Sequence, residues 1–165
     1  MNSLLCWAID TLSTSAMNHV VMDNAVVFPA LEMAHFVGLS VLFGSLMVVD
    51  LRIIGFAKHL PLDKVSFFLR FAVIGFVINF ISGALFVIGD PGRYLVNIAF
   101  WLKMFTIGLA GLNTVFFILH VKPKLYRSFA GQQLTNRARL VAWLSLILWL
   151  IVIVLGRFIP YLETP

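Results

Sequence analysis

Apolar residues fall in long unbroken runs rather than in alternating positions, and polar residues cluster between those runs. Four runs reach the length that a membrane-crossing helix needs, about 17 to 25 residues: 28–49, 71–89, 95–121 and 140–159. Only helices and closed barrels satisfy their own backbone hydrogen bonds in lipid, and continuous rather than period-two runs specify helices. The predicted class is all-α, a four-helix transmembrane bundle at 27–165 preceded by a short segment at 1–26.

The punctuation supports these limits. Pro29 suits the first turn of a helix. Pro61 and Asp63 mark the approach to the second run, and Pro123 the end of the third. Gly89, Asp90, Pro91 and Gly92 form a turn signal, so the second and third runs are expected as an antiparallel hairpin. Thr135 and Asn136 are placed to cap the fourth. The first 51 residues contain no Lys or Arg, and Asp10 interrupts the early apolar stretch. That is unlike a secretory signal, and residues 4–22 read as a retained segment lying along the membrane surface.

Composition sharpens the class. Of 165 residues 61% are hydrophobic and 12% charged, where soluble domains carry roughly 25% charged residues. The net charge is +5, yet the basic residues sit in short loops, so nucleic acid is excluded as a partner and the positive-inside effect explains them. Arg52, Lys58, Lys64 and Arg70 lie between runs one and two, and Lys122, Lys124, Arg127, Arg137 and Arg139 between runs three and four; only Arg93 and Arg157 lie on the opposite side. This count places both loops in the cytoplasm and both termini outside, in the periplasm for a bacterial inner-membrane protein. Cys6 is a lone cysteine with no partner for an internal disulfide.

Candidate chemistry lies inside the runs, where ionisable groups are expensive. At a rise of about 1.5 Å per residue, His35 and Lys103 fall about 11 to 12 Å below the outer surface, Asn79 and Ser82 at about 10 to 15 Å and Glu32 at about 6 Å. Arg157 falls at the outer mouth of run four. Glu32 and His35 are three residues apart and share a helix face, as do Asn79 and Ser82. A His in a helical bundle is an axial ligand for haem iron, and basic groups such as Lys103 and Arg157 suit haem propionates. A quinone accepting a hydrogen bond from His35 is an alternative. So is a purely structural network in which Glu32 pairs with Lys103 or Arg157. Asp50 beside Arg52 reads as an interfacial ion pair, His59 and His120 lie far from His35, and His19 could fold back over the outer layer. Gly38, Gly44, Gly75, Gly83, Gly108 and Gly111 permit close helix approach, and Tyr94, Trp101, Tyr126, Trp143 and Tyr161 suit interfacial belts.

Phe28, Pro29, Glu32, His35 and Gly38, then Phe43 to Ser45 and Asp50 to Gly55, resemble a group of small bacterial four-helix membrane proteins of unknown function. Asn97, Phe100, Lys103, Asn113 and the stretch from Gly156 to Tyr161 resemble the same group. More remotely, His35 with Lys103 is similar to the HemJ-type protoporphyrinogen oxidases and the CopD-like membrane proteins. That similarity implies porphyrin or haem binding. The expected function is haem b-dependent electron transfer between the quinone pool and a periplasmic or membrane partner; the alternative is a non-catalytic accessory subunit of a larger respiratory or redox complex, or self-association.

Overall fold

Helices α1 (Ser3–Ser13) and α2 (Ala16–Met22) precede the first long helix, α3 (Val27–Ile54). Then follow α4 (Val65–Gly89), the short α5 (Pro91–Leu95), α6 (Ile98–Phe116) continued by a π-helical turn (Phe117–Val121), and α7 (Asn136–Phe158) closed by a 3₁₀ turn (Ile159–Tyr161). The computed structural model describes residues 3–57, 59–61, 64–123 and 135–162. Lys58, Asp63, Lys124, Tyr126 and Arg127 lie outside them. Four helices, α3, α4, α6 with its π turn, and α7, are long and apolar enough to cross a membrane.

The helices run past the apolar runs that announced them. α3 extends to Ile54 and α4 begins at Val65, because a helix continues until its backbone is stopped, not until its side chains turn polar. Gly55 stops α3: its φ of 111° is a left-handed conformation that a side chain resists, and its N–H caps the Leu51 carbonyl. Run three is corrected at its start. Residues 91–95 form α5, capped by the Asp90 side chain on the Arg93 N–H (3.2 Å). Asn97 then caps α6 through the Ala99 N–H (2.9 Å). Thr135 occupies the cap position of α7 but makes no side-chain cap bond.

α3 and α7 are the central pair. α4 packs along α3, α6 packs along α7, and α4 and α6 make almost no direct contact. The expected hairpin of runs two and three is therefore joined in sequence but not packed, because α5 separates the two helices. In lipid there is no hydrophobic force between helices, so close fit selects the neighbours. On α3 and α4 that fit is made by Gly38 and Gly75: a Cβ on Gly75 would meet the Leu42 backbone nitrogen at 2.5 Å and the Gly38 carbonyl oxygen at 2.7 Å. Gly44, Gly108 and Gly111 have open space and mediate no such approach. α7 buries Ala138, Val141, Ala142, Ser145, Leu148, Trp149 and Val152 at steps of three and four along one side, with Leu146 buried beside them. This three-and-four spacing is the seam of left-handed helix packing.

The N-terminal hairpin covers one end of the bundle, the end that carries Asp90. Asn18 Nδ2 donates to the carbonyls of Ile88 (2.7 Å) and Gly89 (2.8 Å), satisfying the last acceptors of α4. Val21, fully buried, seats against Gly89.

Candidate functional site

At the Asp90 end the polar residues of three helices converge. His35 of α3 meets Ser82 of α4, Nδ1 to Oγ at 2.8 Å. The same Ser82 hydroxyl lies 2.8 Å from the Ile78 carbonyl and 3.3 Å from that of Asn79. Carbonyls only accept, so the hydroxyl proton goes to the backbone and Ser82 accepts from His35. In that arrangement His35 carries its proton on Nδ1, and Nε2 has no hydrogen-bond partner among the described residues. Fixing one ring nitrogen so that the other is basic is how proteins prepare an imidazole for a metal.

Aromatic rings wall this histidine. Phe86 lies 5.4 Å from the imidazole, centroid to centroid, and itself meets Phe28 (5.6 Å) and Tyr94 (6.5 Å, stacked). Tyr94 continues to Phe100 (5.9 Å). Gly83 faces the imidazole Cε1, 3.8 Å from where its Cβ would be. Phe86, Tyr94 and Gly83 were missed as site residues by sequence reasoning. The i, i+4 step from Ser82 to Phe86 was the available signal.

Lys103 of α6 lays its Nζ over Gly156 of α7, 3.2 Å from where a Cβ on that glycine would stand. Asn79 is in the layer as well; its Nδ2 donates to the Gly75 carbonyl (3.0 Å) and packs onto Gly38. Two other candidates point away. Arg157 is exposed, donates to the Tyr161 hydroxyl (3.1 Å) and stacks on that ring. Glu32 is exposed, and among the described residues it makes no ion pair with Lys103 or Arg157. His19 is paired with Asp23 at 3.1 Å, well exposed, and does not reach over the layer. His120 stacks on Phe116 at the opposite end. No group of three His, Cys, Asp or Glu side chains is placed to hold a metal among the described residues.

Asn97 locks this end. Its Nδ2 donates to the Ile159 carbonyl (2.8 Å) and, more weakly, to that of Leu162 (3.4 Å). It thereby ties the start of α6 to the end of α7.

The expected surface pair of Asp50 with Arg52 is not formed. Asp50 is 4% exposed and turns into the bundle, while Arg52 donates through Nε to the Leu60 carbonyl. The reason is helical geometry: two residues apart on a helix is a turn of about 200°, so the two cannot share a face.

These features define an all-helical, multi-pass membrane bundle with a polar layer near one end. The chain belongs to the family of unknown function DUF6644, which matches residues 10–162. No curated protein and no solved structure matches it, and the family match gives no support to the expected likeness to HemJ-type and CopD-like proteins.

Proposed function

We propose that this protein binds haem b in the His35 layer and passes single electrons within the membrane. The observation that carries the reading is the Ser82 hydroxyl, which commits His35 Nδ1 and leaves Nε2 free to hold iron. The aromatic wall of Phe28, Phe86 and Tyr94 suits a planar macrocycle, and Lys103 supplies a cation for a propionate. Glu32 and Arg157 flank the layer from its exposed rim. A bound haem supplies a one-electron iron couple. The chain's own residues orient the ligand nitrogen, exclude water and balance charge. No second His stands at this depth among the described residues, so His35 is the one imidazole ligand that the chain provides there. With the basic loops cytoplasmic, the layer faces the outer side of a bacterial inner membrane, where electrons exchange with a quinone on one hand and a periplasmic or membrane partner on the other. An absorption spectrum of the purified protein tests this: a Soret band that sharpens and shifts on dithionite, lost in His35→Ala, is the expected result. A featureless spectrum from protein expressed with haem supplied ends the idea.

A second reading is favoured by a different observation: bonds within this end also hold helices in register, His35 to Ser82, Asn97 to Ile159 and Asn18 to Gly89. On that reading the protein is a non-catalytic subunit of a larger membrane complex, and its outward Phe36, Phe80 and Phe105 meet lipid or neighbouring helices. Gently solubilised native membranes separate the two. Migration alone with cofactor supports the first; migration only in a large assembly without cofactor supports the second.

A further inference from the structure

At the opposite end from His35, all four long helices contribute to one small pocket. It is lined by Leu46, Val49 and Asp50 of α3, Leu69 of α4, Asn113, Thr114 and Phe117 of α6 and its π turn, and Val141 and Ser145 of α7. Asp50 Oδ2 is buried with no hydrogen-bond partner among the described residues. A carboxylate in such a place is neutralised by a proton or by a cation, because an unpaired buried charge is not tolerated.

The polar lining is arranged for a cation. Ser145 is buried and turned toward the Asp50 carboxyl. The Thr114 hydroxyl gives its proton to the Ala110 carbonyl (2.9 Å), and the Asn113 amide gives its N–H to the Val141 carbonyl (3.1 Å). The one Thr114 hydroxyl proton and one of the two Asn113 N–H groups are thus spent elsewhere, while oxygen lone pairs remain on both side chains. The α-helix changes to π-helical winding at Phe117, immediately after these two residues, and π turns recur at functional sites because they re-aim side chains. Oxygen donors select hard cations. A single carboxylate balances a single positive charge, and the room is that of a water molecule or a bare ion, too small for a hydrated divalent one.

We propose that this pocket binds one monovalent cation of sodium's size between Asp50, Ser145, Asn113 and Thr114, in exchange for the proton that otherwise neutralises Asp50. The exchange balances: the carboxylic acid releases a proton to water as the carboxylate takes the ion. Asp50 is the titratable group among the lining residues. Arg52 on the same helix is held by Leu60; Arg70 on α4, His120 on the π turn, and Arg137 and Arg139 on α7 are exposed. This proposal is independent of haem in the His35 layer.

The test uses the full chain purified in detergent, melted in sodium chloride, potassium chloride or choline chloride at equal ionic strength. Sodium is expected to raise Tm over choline by about 5 °C or more at saturation. In weakly buffered solution it is expected to release one proton per ion bound, with a larger sodium requirement at lower pH. Ser145→Ala keeps the fold and raises the sodium concentration for half effect by about tenfold. Asp50→Asn abolishes both the Tm shift and the proton release. Equal melting in sodium and choline without proton release overturns the proposal; so does an equal response to potassium, or a sodium response that survives in Asp50→Asn.

Discussion

The two polar layers of this bundle, about 22 Å apart by the rise from His35 to Asp50, solve the same problem in opposite ways. In the His35 layer polar atoms find partners within the protein: Ser82 serves His35 and its own backbone, Asn79 serves Gly75, and Asn97 serves Ile159. Among the described residues, what is left over includes the second nitrogen of a half-buried imidazole and the Lys103 ammonium. In the Asp50 layer the Thr114 hydroxyl and one Asn113 N–H give their protons to backbone carbonyls, and what is left over around the buried carboxyl is mostly oxygen. A residual nitrogen beside aromatic rings suits a transition metal in a macrocycle; residual oxygens suit a hard ion. The comparison teaches that the donors remaining after internal bonding, not the count of polar residues, define what a membrane site can hold.

The largest expected effect falls on the feature both layers share, the α3–α4 contact. Gly75→Leu drives a side chain into the Leu42 backbone and Gly38 carbonyl, which cannot give, and no monodisperse protein is expected by size exclusion. Gly75→Ala costs about 1 to 3 kcal/mol. Gly108→Ala, with open space around it, stays within about 0.5 kcal/mol, measured as the unfolding midpoint in mixed micelles.

Next comes Asn97→Ala, which leaves the Ile159 carbonyl without its donor at a buried junction. A loss of about 1 to 3 kcal/mol is expected. Hydrogen exchange should show it as earlier opening of the end of α7 while the Asp50 end keeps its protection. Uniform loss of protection across both ends would show that the layers are not separable units.

Ser82→Ala sharpens the His35 side of the comparison. It removes the Nδ1 partner of His35; under the proposed haem binding, affinity is expected to fall about 10- to 100-fold, read by titration of the Soret band, with the fold retained. Unchanged affinity would show that the imidazole is oriented by something other than Ser82. The smallest effects belong to the rim: Glu32→Gln and Arg157→Gln are exposed changes expected within about 0.5 kcal/mol of the parent protein, and a large loss at either would move the boundary of the layer outward.

Much of this was legible along the chain. Run lengths gave the four helices, since lipid thickness imposes them. Helix rise put His35, Ser82, Asn79 and Lys103 at similar heights; the structure joins His35 to Ser82 and seats the Lys103 Nζ against Gly156. Helix facing was less legible. Arg157 follows Gly156, on which Lys103 rests, so the next residue is rotated about 100° away; depth placed it in the layer and azimuth removed it. Asp50 shows the converse. Its neighbour Arg52 suggested a surface pair, and rotation carried the carboxyl inward instead.

The sequence by itself determined the class and the number of helices long and apolar enough to cross a membrane, because these depend on hydropathy and on a fixed rise per residue. Only the tertiary structure decided which helices touch, and with that which faces meet. α4 has no charged residue from Phe71 to Gly89, and beyond the Asn79–Ser82 pair no amphipathic stripe announces its buried face. Its partner was chosen by Gly38 and Gly75 fitting backbone to backbone. The His35–Ser82 bond and the small pocket around Asp50 both depend on how the helices meet, since contact between helices in lipid is decided by shape and by hydrogen bonds at particular azimuths, which a linear pattern does not carry.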